Sequence, residues 1–431
     1  MEPCKQNRGV RKSSHCSIRT TIYSLLGKRI AFRQRAFCIG SRTYGSAIKK
    51  ANKMIELKIE RIVPRGFGIG FADGLTVFVP LAAAGDRVRV EITQRKKKIA
   101  FARIVEVLES SPDRREPPCN YFGECGGCDF QQMTYSAQLA AKSSIIKDAL
   151  RRLGKIETGD IDVVASPQEF GYRGRARWQV RGPIVGYFRR ESHDVIDVEA
   201  CPILNSKLND GLRSVRDGAA AGSIWPDEVE AASDSETVVV STDDDPDRSL
   251  SCNVLGFEYN FRSTSFFQAN SLLIEPLANF ATQGYSGTKA LDLYCGVGLF
   301  TLPLAKNFET VVGVEADHDS IRLARQNADR NEVSNAEFVQ SSVLSFLDAR
   351  QADGPEFILL DPPRSGTEKG VIERIAKLRM KAISYISCDP SILARDLRLL
   401  LDAGYELKEI KAFDLFPQSH HVETVAKLSR K

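Results

Sequence analysis

Cys388 sits in Ser387-Cys388-Asp389-Pro390, directly after the apolar run 382–386. A free cysteine is most often a small buried hydrophobe. Here the pattern predicts a strand end followed by a helix starting near Ser391, whose positive end favours a thiolate. Asp361-Pro362-Pro363-Arg364-Ser365-Gly366 closes another apolar run, and its prolines fix a rigid loop on the same edge. Farther along, Ser419-His420-His421-Val422-Glu423-Thr424-Val425 offers a carboxylate at a strand start. A thiolate and a carboxylate around one pocket make a nucleophile-and-base pair. Spacing alone does not bring Cys388 and Glu423 together.

A second group points to a nucleoside. Asp292-Leu293-Tyr294-Cys295-Gly296-Val297-Gly298 ends a predicted strand and opens a helix. Glycines there let the backbone turn sharply and approach a ligand at the carboxyl edge of an open α/β sheet. A dinucleotide fold wants a third glycine three residues after Gly298, where this chain has Thr301. Glu315 ends the next strand, 19 residues past Gly296, where an acid accepts hydrogen bonds from two ribose hydroxyls. A nucleoside without a pyrophosphate fits both facts, and S-adenosylmethionine is the common one. A surface acid is the plainer reading of Glu315.

A third group is metal-like. Cys119-x5-Cys125-x2-Cys128 is followed much later by Cys201-Pro202 and lacks the paired Cys-x2-Cys motifs of a zinc ribbon. Four thiolates can hold an iron–sulfur cluster, and a proline after the last ligand is familiar there. Residue types alone leave a cluster and zinc equal. Of the ten cysteines, three (Cys4, Cys16, Cys38) lie near the start, Cys252 has no motif around it, and Cys295 lies in the glycine loop. Cys388 is left at a strand end.

The elements that position these groups follow from periodicity. From about residue 288, apolar strands near 290–293, 310–314, 337–339, 357–360 and 382–386 alternate with helical patterns, which predicts a parallel sheet with helices on both faces. Residues 56–62 and 87–92 alternate apolar and charged, with Gly66, Gly68, Gly70 and Gly74 between, as in a small barrel of the oligonucleotide-binding kind. A helix is expected near 136–153 and strands around 175–189, and the run 241–247 reads as a solvated loop.

Charge and length bound the rest. The net +5 divides into +12 over residues 1–53, where thirteen Lys or Arg face Glu2 alone, and therefore −7 over the remainder. Contact with RNA then needs local patches, such as Arg95-Lys96-Lys97-Lys98 or Arg173, Arg175 and Arg177, although a solvated face is the ordinary reading of such runs. Residues 1–53 are Arg- and Ser-rich, like an organellar transit peptide, or else precede a true start at Met54. No run approaches the ~20 apolar residues of a membrane span, and a chain this long is no small disulfide scaffold. The expectation is a soluble monomer of the cytoplasm, or of a mitochondrion or plastid if residues 1–53 are a transit peptide.

In combination, Phe266-Phe267-Gln268-Ala269-Asn270, the Gly296 loop, Asp361-Pro362-Pro363-Arg364, Ser387-Cys388-Asp389-Pro390 and His421-Val422-Glu423-Thr424 resemble the RNA uridine carbon-5 methyltransferases, which act on tRNA and rRNA. The resemblance spans residues 54–431. It implies a Rossmann-like α/β methyltransferase domain (261–431), a central α+β domain bearing an iron–sulfur cluster (111–260) and a TRAM-like RNA-binding β-barrel (54–110). By that resemblance Gln268, Tyr294, Gly296, Glu315 and Asp361 line the S-adenosylmethionine site. Phe266 stacks on an extruded uracil, Cys388 is the nucleophile and Glu423 the base. The rRNA branch carries the same cysteine spacing with a [4Fe–4S] cluster on Cys119, Cys125, Cys128 and Cys201, which favours the cluster over zinc and large-subunit rRNA over tRNA. Two positions depart from the family: Leu299 stands where Asn is frequent, and Ser342 where an acid is. The rival readings are a tRNA enzyme, an inactive RNA-binding relative, and a methyltransferase for cytosine or a small molecule.

Overall fold

Alternating apolar and charged residues build the first layer of the computed structural model, which describes residues 53–242, 248–349 and 355–430. The leader through residue 52, with its three cysteines, and the acids 243–247 lie outside the described residues. Six strands, β1 (Met54–Lys58), β2 (Arg61–Val63), β3 (Phe67–Ala72), β4 (Leu75–Val79), β5 (Arg87–Lys96) and β6 (Ile99–Glu109), form one sheet in the order β1-β5-β6-β4-β3-β2. The outermost strands are thus consecutive in the chain. The strand expected over 56–62 divides at Ile59 and Glu60, whose amides donate to Asp86 and Ile69, and that bend curls the sheet into a barrel. Gly70 permits the curl, since a Cβ there would lie 2.5 Å from the Lys58 carbonyl oxygen. Leu57, Ile59, Val77, Val79, Val88, Val90 and Ile92 fill the interior.

The middle of the chain supplies α1 (Tyr135–Ala149), β7 (Val163–Val164), β8 (Arg175–Arg181), β9 (Ile184–Phe188), β10 (Val195–Asp197), α2 (Ser206–Ala220), β11 (Glu228–Ser233), β12 (Val238–Val240), β13 (Leu250–Val254) and β14 (Phe257–Phe261). Five of these strands form an antiparallel sheet, β10-β9-β8-β11-β12. Trp178 of β8 packs there in one core with Leu208, Leu212 and Val215 of α2.

The last layer contains α3 (Ser271–Thr282), β15 (Gly287–Leu293), α4 (Thr301–Ala305), β16 (Phe308–Glu315), α5 (His318–Arg330), β17 (Ala336–Gln340) and α6 (Val343–Ala349). It continues with β18 (Phe357–Leu360), α7 (Val371–Leu378), β19 (Ala382–Ser387), α8 (Pro390–Asp402), β20 (Tyr405–Phe413) and β21 (Glu423–Arg430). The strand order is β17-β16-β15-β18-β19-β21-β20-β7. The first five strands are parallel, as their apolar runs predict, and β21 runs antiparallel to both β19 and β20. Side chains alternate between faces: Phe357 and Leu359 join a core with α3, α4 and α5, while Ile358 and Leu360 join one with α6, α7 and α8. Chain order reverses between β15 and β18, and crevices that bind ligands form at such points. Ile146 and Leu150 pack into the second core, and β7 pairs with β20, so the middle of the chain completes this layer. Among the described residues, no helix is long and apolar enough to cross a membrane.

Asp86 pins the barrel to the segment after β6. Its fully buried carboxylate accepts from the amides of Ala83 (2.7 Å) and Ser111 (3.0 Å) and from Arg114 Nη2 (2.7 Å). Asp86→Ala leaves those donors and a guanidinium without their anion, and is expected to lower unfolding stability by about 3–5 kcal/mol in urea titration. A loss below about 1 kcal/mol, the scale of an exposed pair, would refute the pin.

Candidate active site

Register brings Cys388 and Glu423 to one edge of the sheet. β19 and β21 pair antiparallel as far as Ser387 opposite Thr424. One step beyond, Cys388 and Glu423 are the next residues of the two neighbouring chains, and the Glu423 charge acts on the Cys388 thiol. Because β21 runs against the parallel strands, its first residue lies at the edge where β19 ends. Glu423 also pairs with Phe413 of β20, which holds it from the other side. Asp361 follows β18, the other neighbour of β19, and its amide donates to the Leu293 carbonyl at 3.3 Å. Arg364, exposed on the same Pro-Pro loop, lies with its guanidinium carbon 5.9 Å from the Phe416 ring centre.

The floor of this edge is largely buried. Burial lifts the carboxyls of Asp361 and Glu423 well above the usual range, and the charge of Glu423 adds to the rise at Asp361. Asp361 keeps some contact with solvent although protein surrounds its carboxyl, as at the bottom of a cleft. Burial pushes the Cys388 thiol up to about 12, with Glu423 adding and Arg364 opposing. The helix-dipole argument for a resting thiolate therefore needs correction. The side chain of Asp389 caps α8 and accepts from Ser391 N (2.7 Å) and Ile392 N (3.2 Å), so an anion takes up the positive end of the helix. His421, squeezed between burial and the charge of His420, is held neutral with its pKa down at about 3.

The cofactor-side residues gather around the glycine loop. Tyr294, Gly296 and Gly298 all have positive φ (66°, 52° and 91°), the turn for which the glycines were read. Glu315 Oε2 accepts from Gly296 N (3.3 Å), and Oε1 accepts from Ala316 N (2.6 Å) and Asp317 N (2.9 Å). This acid braces the loop and is no stray surface charge. Asp292, fully buried, accepts from Thr301 Oγ1 at 2.5 Å, while its Oδ1 has no hydrogen-bond partner. Burial pushes that carboxyl up to about 7. The Tyr294 hydroxyl donates to Glu368, and burial with that carboxylate keeps the phenol protonated.

Phe266 and Gln268 come from a separate loop, after β14. Phe267 turns inward and stacks on Phe261 with ring centres 4.4 Å apart, which turns Phe266 outward, 68% exposed. Gln268 is buried. Tyr259, whose ring lies 6.4 Å from Phe267, donates to the Leu299 carbonyl at 3.1 Å and ties this loop to the glycine loop. Leu299 itself points into the core, and Ser342 caps α6 by accepting from Ser345 N at 3.1 Å. Both departures from the family pattern thus have structural work.

The basic trio is not a free patch. Arg173 Nε donates to the Arg175 carbonyl, Arg175 donates to the carbonyls of Arg262, Ser263 and Ser265, and Arg177 pairs with Glu228 and Glu230. Arg175 thereby supports the loop that presents Phe266. Residues 95–98 stay exposed at the tip of the β5–β6 hairpin. Beside them, Phe67, Phe78 and Phe101 form an aromatic cluster, with Phe78 and Phe101 stacked at 5.4 Å. No motif marked that cluster.

Cys119, Cys125, Cys128 and Cys201 are neighbours whose charges act on one another. Burial pushes Cys128 up to about 12 and Cys201 up to about 11. Among the described residues, however, no three His, Cys, Asp or Glu side chains stand close enough to share one metal ion.

Residues 228–431 match the tRNA (uracil-5-)-methyltransferase family, and residues 55–112 match the TRAM domain of tRNA (uracil(54)-C(5))-methyltransferase. The 23S rRNA (uracil(1939)-C(5))-methyltransferase RlmD of Pseudomonas putida is 33% identical over 437 residues, covering 90% of this chain and 95% of its own. An uncharacterized RNA methyltransferase of Aquifex aeolicus is 31% identical over 88% of this chain and 99% of its own. The crystal structure of Pyrococcus abyssi tRNA (uracil-54, C5)-methyltransferase in complex with S-adenosyl-L-homocysteine superposes with a TM-score of 0.67 at 26% identity, covering 86% of this chain and all of that one. Motifs, sheet topology and whole-length similarity agree, and the chain belongs to the RNA uracil-5-methyltransferase family.

Proposed function

We propose that this enzyme methylates carbon 5 of a uridine in large-subunit rRNA, using S-adenosylmethionine, with Cys388 as nucleophile and Glu423 as base. The observation that carries this reading is that β19 and β21 pair as far as Ser387 opposite Thr424, which leaves Cys388 and Glu423 as neighbours at the carboxyl edge, where the Glu423 charge acts on the thiol. S-adenosylmethionine supplies a methyl group on a positively charged sulfur. Gly296, Tyr294, Glu315, Asp361 and Gln268 hold it, and the free Oδ1 of Asp292 is an acceptor suited to that loop.

Carbon 5 of uracil is a weak nucleophile. The Cys388 thiolate would add to carbon 6, making the ring an enolate whose carbon 5 takes the methyl group as the methyl–sulfur bond breaks and the sulfur leaves as a neutral thioether. Glu423 then removes the proton from carbon 5, the carbon 6–sulfur bond breaks, and the thiolate is restored. A thiol resting near 12 needs a cation beside it to ionise, and Arg364 is the side chain whose charge opposes the rise. Exposed Phe266 stacks on the base once it leaves its helix. The aromatic cluster and residues 95–98 of the barrel give stacking and phosphate contacts to flanking nucleotides.

Cys119, Cys125, Cys128 and Cys201 would be the ligands of a [4Fe–4S] cluster. One zinc ion needs its sulfurs about 2.3 Å from a single point. The support for a cluster is the resemblance in cysteine spacing together with the mutual effect of Cys119, Cys125, Cys128 and Cys201 on one another. Protein purified without air is expected to be brown, with acid-labile sulfide equal to iron. Colourless, zinc-loaded protein would remove the cluster in favour of zinc.

The preference for rRNA rests on the Pseudomonas putida relative, similar over nearly its whole length. A tRNA substrate is the second reading, supported by the Pyrococcus abyssi structure. Mapping 5-methyluridine in total RNA with and without the gene separates them: loss of a modified uridine is expected in large-subunit rRNA, and loss confined to tRNA reverses the assignment. Glu423→Gln is expected to trap a covalent protein–RNA adduct on a denaturing gel and to slow turnover about 10²–10⁴-fold. Cys388→Ala should show neither adduct nor methyl transfer. Full transfer by Cys388→Ala would sink the mechanism.

A further inference from the structure

The loop that delivers Glu423 to the sheet, residues 414–422, is held from outside the sheet. Gln418 is fully buried and adopts φ 69°, uncommon for a residue other than glycine. Its amide donates to Gln138 Oε1 at 3.0 Å, and its carbonyl accepts from the amides of Asp129 (2.9 Å) and Phe130 (3.0 Å). Its side-chain Oε1 accepts from Gln138 Nε2 (3.0 Å) and Arg115 Nη2 (3.3 Å), and its Nε2 donates to Glu169 Oε2 at 3.2 Å. All the polar groups of Gln418 are therefore paired, with partners that lie between residues 115 and 169. The neighbouring carbonyls are held in the same way. Tyr172 donates to Pro417 O (2.9 Å), and Lys142, paired with buried Asp414, donates to Phe416 O (3.0 Å). His420 Nδ1 lies 2.6 Å from Asp129 Oδ2.

This clamp touches the base side of the site. Cys388 follows β19, whose position comes from β18, β21 and the helices over it, whereas Glu423 is the first strand residue after the clamped loop. We propose that Gln418, through its amide pair with Gln138, is a positioning residue for the base. It sets how Glu423 enters β21 and so governs loss of the carbon 5 proton, without contacting the uracil. The inference rests on Cys388 and Glu423 acting as proposed above.

Loosening the clamp separates the two halves of the reaction. Gln418→Asn keeps a residue that tolerates positive φ but draws the amide back from Gln138, Arg115 and Glu169. Gln138→Met removes the partner amide at similar length, and decides the matter if the first variant does not fold. With S-adenosylmethionine and a uridine-containing rRNA fragment, the variants should form the Cys388–RNA adduct within about threefold of the normal rate. They should release methylated RNA about 10–100-fold more slowly, so that the adduct accumulates. Equal slowing of both steps, or no change in either, overturns the positioning role. If the parent enzyme itself gives neither adduct nor product, the underlying reading fails and this one falls with it.

Discussion

The antiparallel pairing of β21 with β19 is the constraint on which this site depends. In a wholly parallel sheet, every strand offers its last residues to the ligand edge. A reversed strand offers its first, so Glu423 at the start of β21 meets Cys388 just past the end of β19. A slip of one residue would turn the carboxyl to the opposite face of the sheet. Pairing on both sides, with β19 and β20, makes that slip expensive. The strength of the sheet is thereby converted into the accuracy of two side chains.

That accuracy comes with an electrostatic burden. Asp361, Glu423 and the Cys388 thiol share a low-dielectric floor, and burial disfavours the charged form of each. Thiol and carboxyls therefore resist ionisation together. At the thiol, burial is the largest contribution, the charge of Glu423 adds to it, and Arg364 opposes it.

Much of the fold was legible in the sequence because its signals are local. Five apolar runs between helical patterns became β15–β19, and the glycine loop turned where positive φ was needed. Features that depend on distant partners were not legible. The meeting of Cys388 and Glu423 is a matter of register between strands 35 residues apart in sequence. Whether Arg173, Arg175 and Arg177 form a free basic patch was not legible, because Glu228, Glu230 and the carbonyls of residues 262–265 lie more than 45 positions away. The helix dipole misled for the opposite reason: Asp389 is adjacent, but its sequence position does not say whether its side chain turns back to cap α8. Gln418, in a left-handed turn that glycine would ordinarily fill, carries no sequence signal at all.

The strand β7 and the helix α1 belong by sequence to the middle of the chain and by packing to the catalytic sheet. Val163 and Val164 extend β20, while Ile146 and Leu150 fill the core beneath α8. The catalytic half is consequently not a cassette. A chimera assembled by joining two relatives near residue 260 would lay a foreign α1 against a native α8 and a foreign edge strand against a native β20. The barrel is joined to the same segment, through Asp86 and Arg114, through Arg61 and Asp148, and through a buried cluster of Ile62 and Ala83 with Phe130, Met133 and Ile145. Residues 130–165 must be inherited together with the sheet they complete.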